Sequence, residues 1–283
     1  PNITDAGWEE KYTSLRDTER RRVLRVVVDG TLTQRRLVRS LEAFDCVSEF
    51  FNIDLLQVQQ YLFTRLKIEP TSKVHVAYDE DNNLLSISKI NDDKEIPPPP
   101  FTTLYFDIHI SSSTLTPDSN RDPISSIEVR FQDEEEVIEG AEPCLIQRFS
   151  DIVQSKDPDF LVCPECDEFT FPYLFTRSKL LGLDPQLGRE KIDTVGKPLP
   201  YWIRGRVALD YNHFGYTFDD WGIAGLVERA RFSFLPPGIA GRWTSNRVND
   251  SRCCYELMRR GYVIPKNTGY YEYIRPMSEV ISR

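Results

Sequence analysis

Four consecutive prolines close the stretch NDDKEIPPPP at residues 91–100. No helix interior or central strand can contain them, because proline has no backbone N–H to donate and its ring fixes φ. Whatever folds before them folds apart from whatever follows. Upstream, Leu55, Val58, Leu62 and Leu66 recur at helical spacing until Pro70, and the runs 74–78 and 84–90 flank DEDNN as the two strands of a hairpin would. Residues 1–100 therefore read as a small α+β domain. At 283 residues, 40% hydrophobic and 12% aromatic, the chain has material for two cores.

Downstream, residues 103–110 alternate strictly, with Leu104, Phe106, Ile108 and Ile110 on one face and Tyr105, Asp107 and His109 on the other. A strand with one polar face is expected. Ile127, Val129 and Phe131 alternate again, Leu145, Phe149 and Ile152 follow at helical spacing, and residues 160–163 (FLVC) have the length of a short strand buried on both sides. Thr170, with Pro172 in the first turn, reads as the N-cap of a helix through Leu174 and Ser178 to Leu181, stopped at Gly182. Residues 206–210 read as a strand, Ile223, Leu226, Val227 and Ala230 as the core stripe of a helix, and residues 183–205 as a surface loop. Strands interleaved with helices in this way predict an α/β layered domain over residues 101–240, followed by a connecting segment over 241–283.

The net charge of −9 disfavours a strong nucleic-acid binder, but the charge is uneven. Residues 171–283 hold 17 Lys/Arg against 11 Asp/Glu, which leaves 18 against 33 in the first 170. Any basic surface lies in the C-terminal part. Six cysteines, two of them adjacent, do not form the dense framework of a small secreted scaffold, and reduced thiols are expected. With no apolar run near the length of a membrane span and a polar N-terminus, the expectation is a cytoplasmic protein that does not enter membranes.

The segments LYFDIHI (104–110), CPECDEFTFPYL (163–174), LGR (187–189), GRVALD (205–210) and SRCCYELMRRGYVIP (251–265) come in an order that resembles that of the archaeal-type family B DNA polymerases. LYFDIHI (104–110) is similar to their first exonuclease motif, FDIE, and CPECDEFTFPYL (163–174) to the second, YNGDxFDFPYL. LGR (187–189), GRVALD (205–210) and SRCCYELMRRGYVIP (251–265) fall where the family has LGR, GRVHFD and the lead-in to the palm. The resemblance implies a ribonuclease H-like 3'-5' exonuclease domain at 101–240, preceded by the family's N-terminal domain. It further implies a parent DNA-directed DNA polymerase, a nucleotidyltransferase of replication or repair, whose palm would follow this chain. DNA, as primer-template or single strand, and the rest of the polymerase are the implied partners.

Exonuclease chemistry of this type needs carboxylates around two divalent cations. By resemblance Asp107 and Asp167 keep catalytic and metal-ligand positions, but His109 stands in place of the motif Glu, Glu165 in place of Asn and Thr170 in place of the later Asp. Tyr216 and Asp220 alone fit the third motif, YxxxD, and they follow Asp210 too closely, so a chance match outweighs a working pair. The four are vestigial candidates: no nuclease activity and no cofactor are expected, with Mg²⁺ or Mn²⁺ required by any residual exonuclease. For Asp107 the plainer reading is a strand Asp with local hydrogen bonds, and for His109 a half-buried imidazole satisfied by a neighbour. Zinc is not expected, because Cys253 and Cys254 are adjacent and cannot match Cys163 and Cys166 as a second CxxC pair. Arg229, Arg231, Arg242, Arg247 and Trp243 form an Arg-aromatic run suited to phosphates and stacked bases. Packing against the rest of a polymerase is an equal alternative for them, and a non-catalytic interaction scaffold is the alternative function.

Overall fold

The computed structural model describes residues 3–90, 97–190, 203–213 and 216–266, with the side chains of residues 31–33, 212–213 and 216–221 outside the description. The chain divides into two compact units. One combines residues 1–68, 75–88 and 249–283, and the other residues 69–74 and 89–248.

In the first unit, β1 (Ile3–Lys11) and β2 (Arg21–Val28) pair antiparallel, followed by α1 (Thr31–Leu41), α2 (Gln57–Tyr61) and a π-helical turn at Leu62–Leu66. Of the stripe Leu55, Val58, Leu62 and Leu66, Leu62 is buried and the other three are half-buried, while Phe63, outside that stripe, is buried as well. Residues near 260 return to the start of the chain: the N–H of Val263 donates to the carbonyl of Tyr12 (2.9 Å), the N–H of Tyr12 donates to the carbonyl of Gly261 (3.0 Å), and the rings of Tyr12 and Tyr262 lie 4.8 Å apart. The expected hairpin forms as β3 (Val74–Tyr78) and β4 (Leu84–Lys89). Its turn is organised by Asp79, whose carboxylate accepts the backbone N–H groups of Asp81 (3.0 Å) and Asn83 (2.8 Å).

The second unit is built on a five-stranded mixed sheet. Its strands are β5 (Thr103–Ile110), β6 (Ile124–Phe131), β7 (Glu134–Glu139), β8 (Phe160–Cys163) and β9 (Val207–Asp210), in the spatial order β7-β6-β5-β8-β9. β5, β6 and β7 pair antiparallel, whereas β8 runs parallel to both β5 and β9. All four residues of β8 are buried, and their alternation divides them between two cores. Leu161 and Cys163 join Leu104, Phe106 and Ala208 against α3 (Glu142–Lys156) and α4 (Phe171–Leu180). Phe160 and Val162 join Leu209 against Leu226 and Ala230 of α5 (Phe218–Ser233) and Ala240 of α6 (Pro237–Ala240). Val248, in α7 (Ser245–Arg259), closes the same core. The result is a three-layer α/β/α unit, and β10 (Asn212–His213) and β11 (Tyr216–Thr217) form a small separate ribbon before α5.

Two expectations are corrected, and one strand carries no signal in the sequence. Thr170 holds the N-cap position of α4 but does not cap it: it ends a π-helical turn, Cys166–Thr170, in helical φ/ψ, and its hydroxyl donates to the carbonyl of Pro164 (2.5 Å). The region 183–205 is not wholly a surface loop, because Leu187 and Ile203 are buried in the sheet core. Glu134–Glu139 is that strand, because glutamate disfavours strands and a run of it does not read as one. It is the sheet edge, where charge is an asset against further pairing, and Ile138 anchors it while Arg148 and Lys156 pair with Glu136 and Glu134.

The arginines of LGR and GRVALD serve this architecture. Arg189 donates to Asp157 Oδ1 (2.8 Å) and Asp159 Oδ1 (3.0 Å), while the buried Arg206 donates to Asp157 Oδ1 (2.7 Å) and the carbonyl of Leu187 (2.9 Å). Together they clamp the turn that leads into β8. Gly205 is required beside them: its φ is +78°, and a Cβ there would lie 2.7 Å from that of Arg189.

Two outcomes follow from this packing. Phe149 is fully buried against Phe106, with ring centroids 4.7 Å apart, so Phe149→Ala should cost about 3–5 kcal/mol in denaturant unfolding. The guanidinium of Arg189, and then that of Arg206, hold the Asp157 carboxyl below its ordinary range. A carboxylate depressed on folding contributes stability above its unfolded pKa of about 3.9, and that contribution is lost as pH falls through the folded value. Asp157→Asn should therefore flatten the decline of the urea midpoint below about pH 4, measured against the wild-type chain.

Candidate functional site

Parallel pairing of β5, β8 and β9 brings their C-terminal ends to one edge of the sheet, the side on which open α/β sheets usually place ligands. Tyr105 pairs with Val162 and Cys163 with Asp210. Asp107 lies two residues beyond the first of these pairs, and Asp167 four residues beyond Cys163. The local sequence makes the connection: Pro164 ends β8, Glu165 takes a left-handed conformation (φ 43°), and the chain tightens into the π-helical turn that carries Asp167. Asp210, at the end of β9, accepts the backbone N–H of Cys166 (3.1 Å) and so ties this turn to the sheet.

Asp107 is half-buried, and its Oδ1 accepts the N–H of Ile108 (2.8 Å), the local hydrogen bond of the plainer reading. His109 is exposed, and its Nε2 lies 2.9 Å from Glu128 Oε1 on the neighbouring strand. Asp167 is met by a single guanidinium: Arg242 Nε donates to its Oδ2 (2.6 Å) and Nη2 to its Oδ1 (3.1 Å). Tyr216 lies in β11 and Asp220 near the start of α5, and their side chains are outside the described residues.

This donor set does not suit a pair of hard cations. One motif carboxylate has both oxygens turned to a fixed positive charge, and the position beside Asp107 carries an imidazole engaged by a glutamate. Among the described residues, no group of three or more His, Cys, Asp or Glu side chains is arranged to hold a metal. Cys163 and Cys166 are wholly buried, and burial first, then the neighbouring Cys166, Asp210 and Asp167, pushes the Cys163 thiol up. Such a thiol is a core residue rather than a nucleophile. Cys253 and Cys254 lie on α7, where burial raises the Cys254 thiol to about 11.

The arginines singled out for nucleic acid are placed differently from one another. Arg229 donates to the carbonyls of Ala240 (2.8 Å) and Trp243 (2.5 Å), so it holds the end of α6. Arg231 donates to Thr71 Oγ1 (3.0 Å) and pairs with Glu228 (2.7 Å). Arg242 forks Asp167 and also donates to the carbonyl of Gly238 (3.0 Å). Arg247 is exposed and stands 5.1 Å over the half-buried ring of Trp243. Sequence reasoning missed the Arg242–Asp167 pair and the role of Asp210. The two partners of the pair are 75 residues apart, and no local pattern links them.

Comparisons with known proteins place these observations. No protein-family profile matches the chain. A DNA polymerase of Archaeoglobus fulgidus is 32% identical over 138 residues, which is 47% of this chain and 17% of that protein. DNA polymerase 2 of Aeropyrum pernix is 29% identical over 138 residues, 46% of this chain and 17% of its own length, and a DNA polymerase of a Desulfurococcus species is 39% identical over 70 residues. The solved family B DNA polymerase of Pyrobaculum calidifontis superposes with a TM-score of 0.77 at 18% identity, over 95% of this chain and 44% of that one, a likeness of fold. The matched segment covers about a sixth of the length of the Archaeoglobus and Aeropyrum relatives. Among the described residues, no helix is long and apolar enough to cross a membrane.

The approach of α6 to the sheet depends on Gly241. A Cβ there would stand 2.6 Å from Leu209 Cδ2 and 3.2 Å from Leu226 Cδ1, both in the core. Gly241→Ala should cost about 1–3 kcal/mol through overpacking, read as a lowered denaturant midpoint.

Proposed function

We propose that this chain, a relative of the archaeal family B DNA polymerases, is a DNA-contacting portion of such a polymerase that does not cleave DNA. In this reading residues 101–240 are its ribonuclease H-like, exonuclease-type domain. The intact protein would be a DNA-directed DNA polymerase or an inactivated paralogue, and the exonuclease-type domain would guide a template or a single-stranded primer end. Fold and site are separable, so a domain can keep the first without the second.

The observation that carries the non-nucleolytic reading is His109. A two-metal nuclease uses the carboxylate at this position to hold a hard cation, and an imidazole directed to Glu128 at 2.9 Å supplies no such ligand. Charge stabilisation of the transition state depends on those cations, and their loss removes most of the rate. The DNA-contacting reading is supported by the relatives and by the exposed Arg247 over Trp243, a guanidinium-aromatic pair of the kind that binds phosphate beside a stacked base.

The test is a cleavage assay on labelled single-stranded and 3'-recessed DNA with Mg²⁺ or Mn²⁺, beside a binding titration at two salt concentrations. Degradation should run no faster than with the Asp107→Ala/Asp167→Ala variant. Binding should be weak and salt-dependent, with a log–log slope near −2 for about three phosphates on a single strand, reduced by about 0.7 in Arg247→Ala. Metal-dependent 3'-5' cleavage lost in the double variant would establish a residual exonuclease instead, and absence of binding at low salt would establish an interaction scaffold.

A further inference from the structure

Asp167 is a motif carboxylate directly opposed by a positive charge. The Arg242 fork reaches it with two hydrogen bonds of 2.6 and 3.1 Å, and the two side chains are only 11% and 22% exposed. A guanidinium is planar, permanently charged and matched to a carboxylate in this geometry. Here it is also delivered by a fixed piece of backbone. Arg242 Nη1 donates to the carbonyl of Gly238, Arg229 holds the carbonyls of Ala240 and Trp243, and Gly241 lies against Leu209 and Leu226 with no room for a side chain. The charge is therefore anchored, not a surface arginine that happens to lie nearby.

We infer that Arg242 is a built-in counter-ion that takes the place of a divalent cation at Asp167, closing the site to metal while keeping the turn Cys166–Thr170 docked on the sheet. A cation approaching Asp167 would meet a charge of the same sign within a few ångströms, in a partly buried setting where screening is weak. The carboxylate keeps a partner, so the fold keeps the turn that a bound metal would otherwise organise. This inference rests on the reading of residues 101–240 as an exonuclease-type domain. It adds that the loss of metal is enforced by Arg242 as well as by His109.

The experiment is a Mn²⁺ titration of the whole chain, with free Mn²⁺ followed by electron paramagnetic resonance, on wild type, Asp167→Asn, Arg242→Gln and the double variant. Wild type and Asp167→Asn should bind Mn²⁺ alike, and Arg242→Gln should gain a site at least about tenfold tighter that the double variant loses. A Mn²⁺ site in wild type that disappears in Asp167→Asn would overturn the inference, as would a folded Arg242→Gln that binds no better than wild type. Should Arg242→Gln not fold in chelator, its refolding by Mn²⁺ but not by Na⁺ at equal ionic strength supports the inference, and failure to refold at saturating Mn²⁺ overturns it. Cleavage of DNA by wild type would sink the reading of the preceding subsection, whereas indifference of Arg242→Gln to Mn²⁺ sinks only this one.

Discussion

A four-residue strand governs the second unit. β8 is buried on both faces, so it requires a neighbour on each edge and a helical layer above and below. Each requirement has a visible answer: β5 and β9 supply parallel partners, α3 and α4 cover one face, and α5 with α6 cover the other. Parallel neighbours point their C-terminal ends the same way, which is why Asp107, Asp167 and Asp210 come from one edge of the sheet although their sequence separation exceeds 100 residues.

Charge is handled inside this frame by arginine. Burying an ionised side chain is costly unless it is paired and its remaining donors are bonded. Arg206, whose side chain is almost fully covered, meets Asp157 and backbone carbonyls, and Arg177 meets Glu142 with both side chains about a tenth exposed. Arg242 and Asp167 follow the same pattern at the candidate site. In each case a guanidinium joins segments far apart in the chain. Arg189 of LGR and Arg206 of GRVALD serve that structural task, and Asp210 touches the candidate site through the N–H of Cys166.

Much of both units was legible in the chain. β5 and β8 fall within the limits read from alternation and apolar run, and α3 and the hairpin β3–β4 lie where periodicity and the DEDNN turn put them. β7 was not legible, because an edge strand of glutamates follows the chemistry of sheet edges and not strand propensity. The misread cap at Thr170 has a similar cause. A hydroxyl before a helix signals a cap only when the backbone is extended there, and here a π-helical turn already occupies the position.

By itself the sequence determined the strand and helix periodicities, the resemblance of its ordered motifs to those of archaeal polymerases and the replacement of a motif glutamate by His109. These are local facts, set by side-chain spacing and residue type along a few turns or strands. Only the tertiary structure decided where Arg242 and Arg229 direct their charges, that residues near 260 return to Tyr12, and that Asp210 secures the turn bearing Asp167. A guanidinium has the same composition whether it faces phosphate or a carboxylate 75 residues away. Which it faces is settled by how the layers pack around β8, and no short-range pattern in the sequence records that packing.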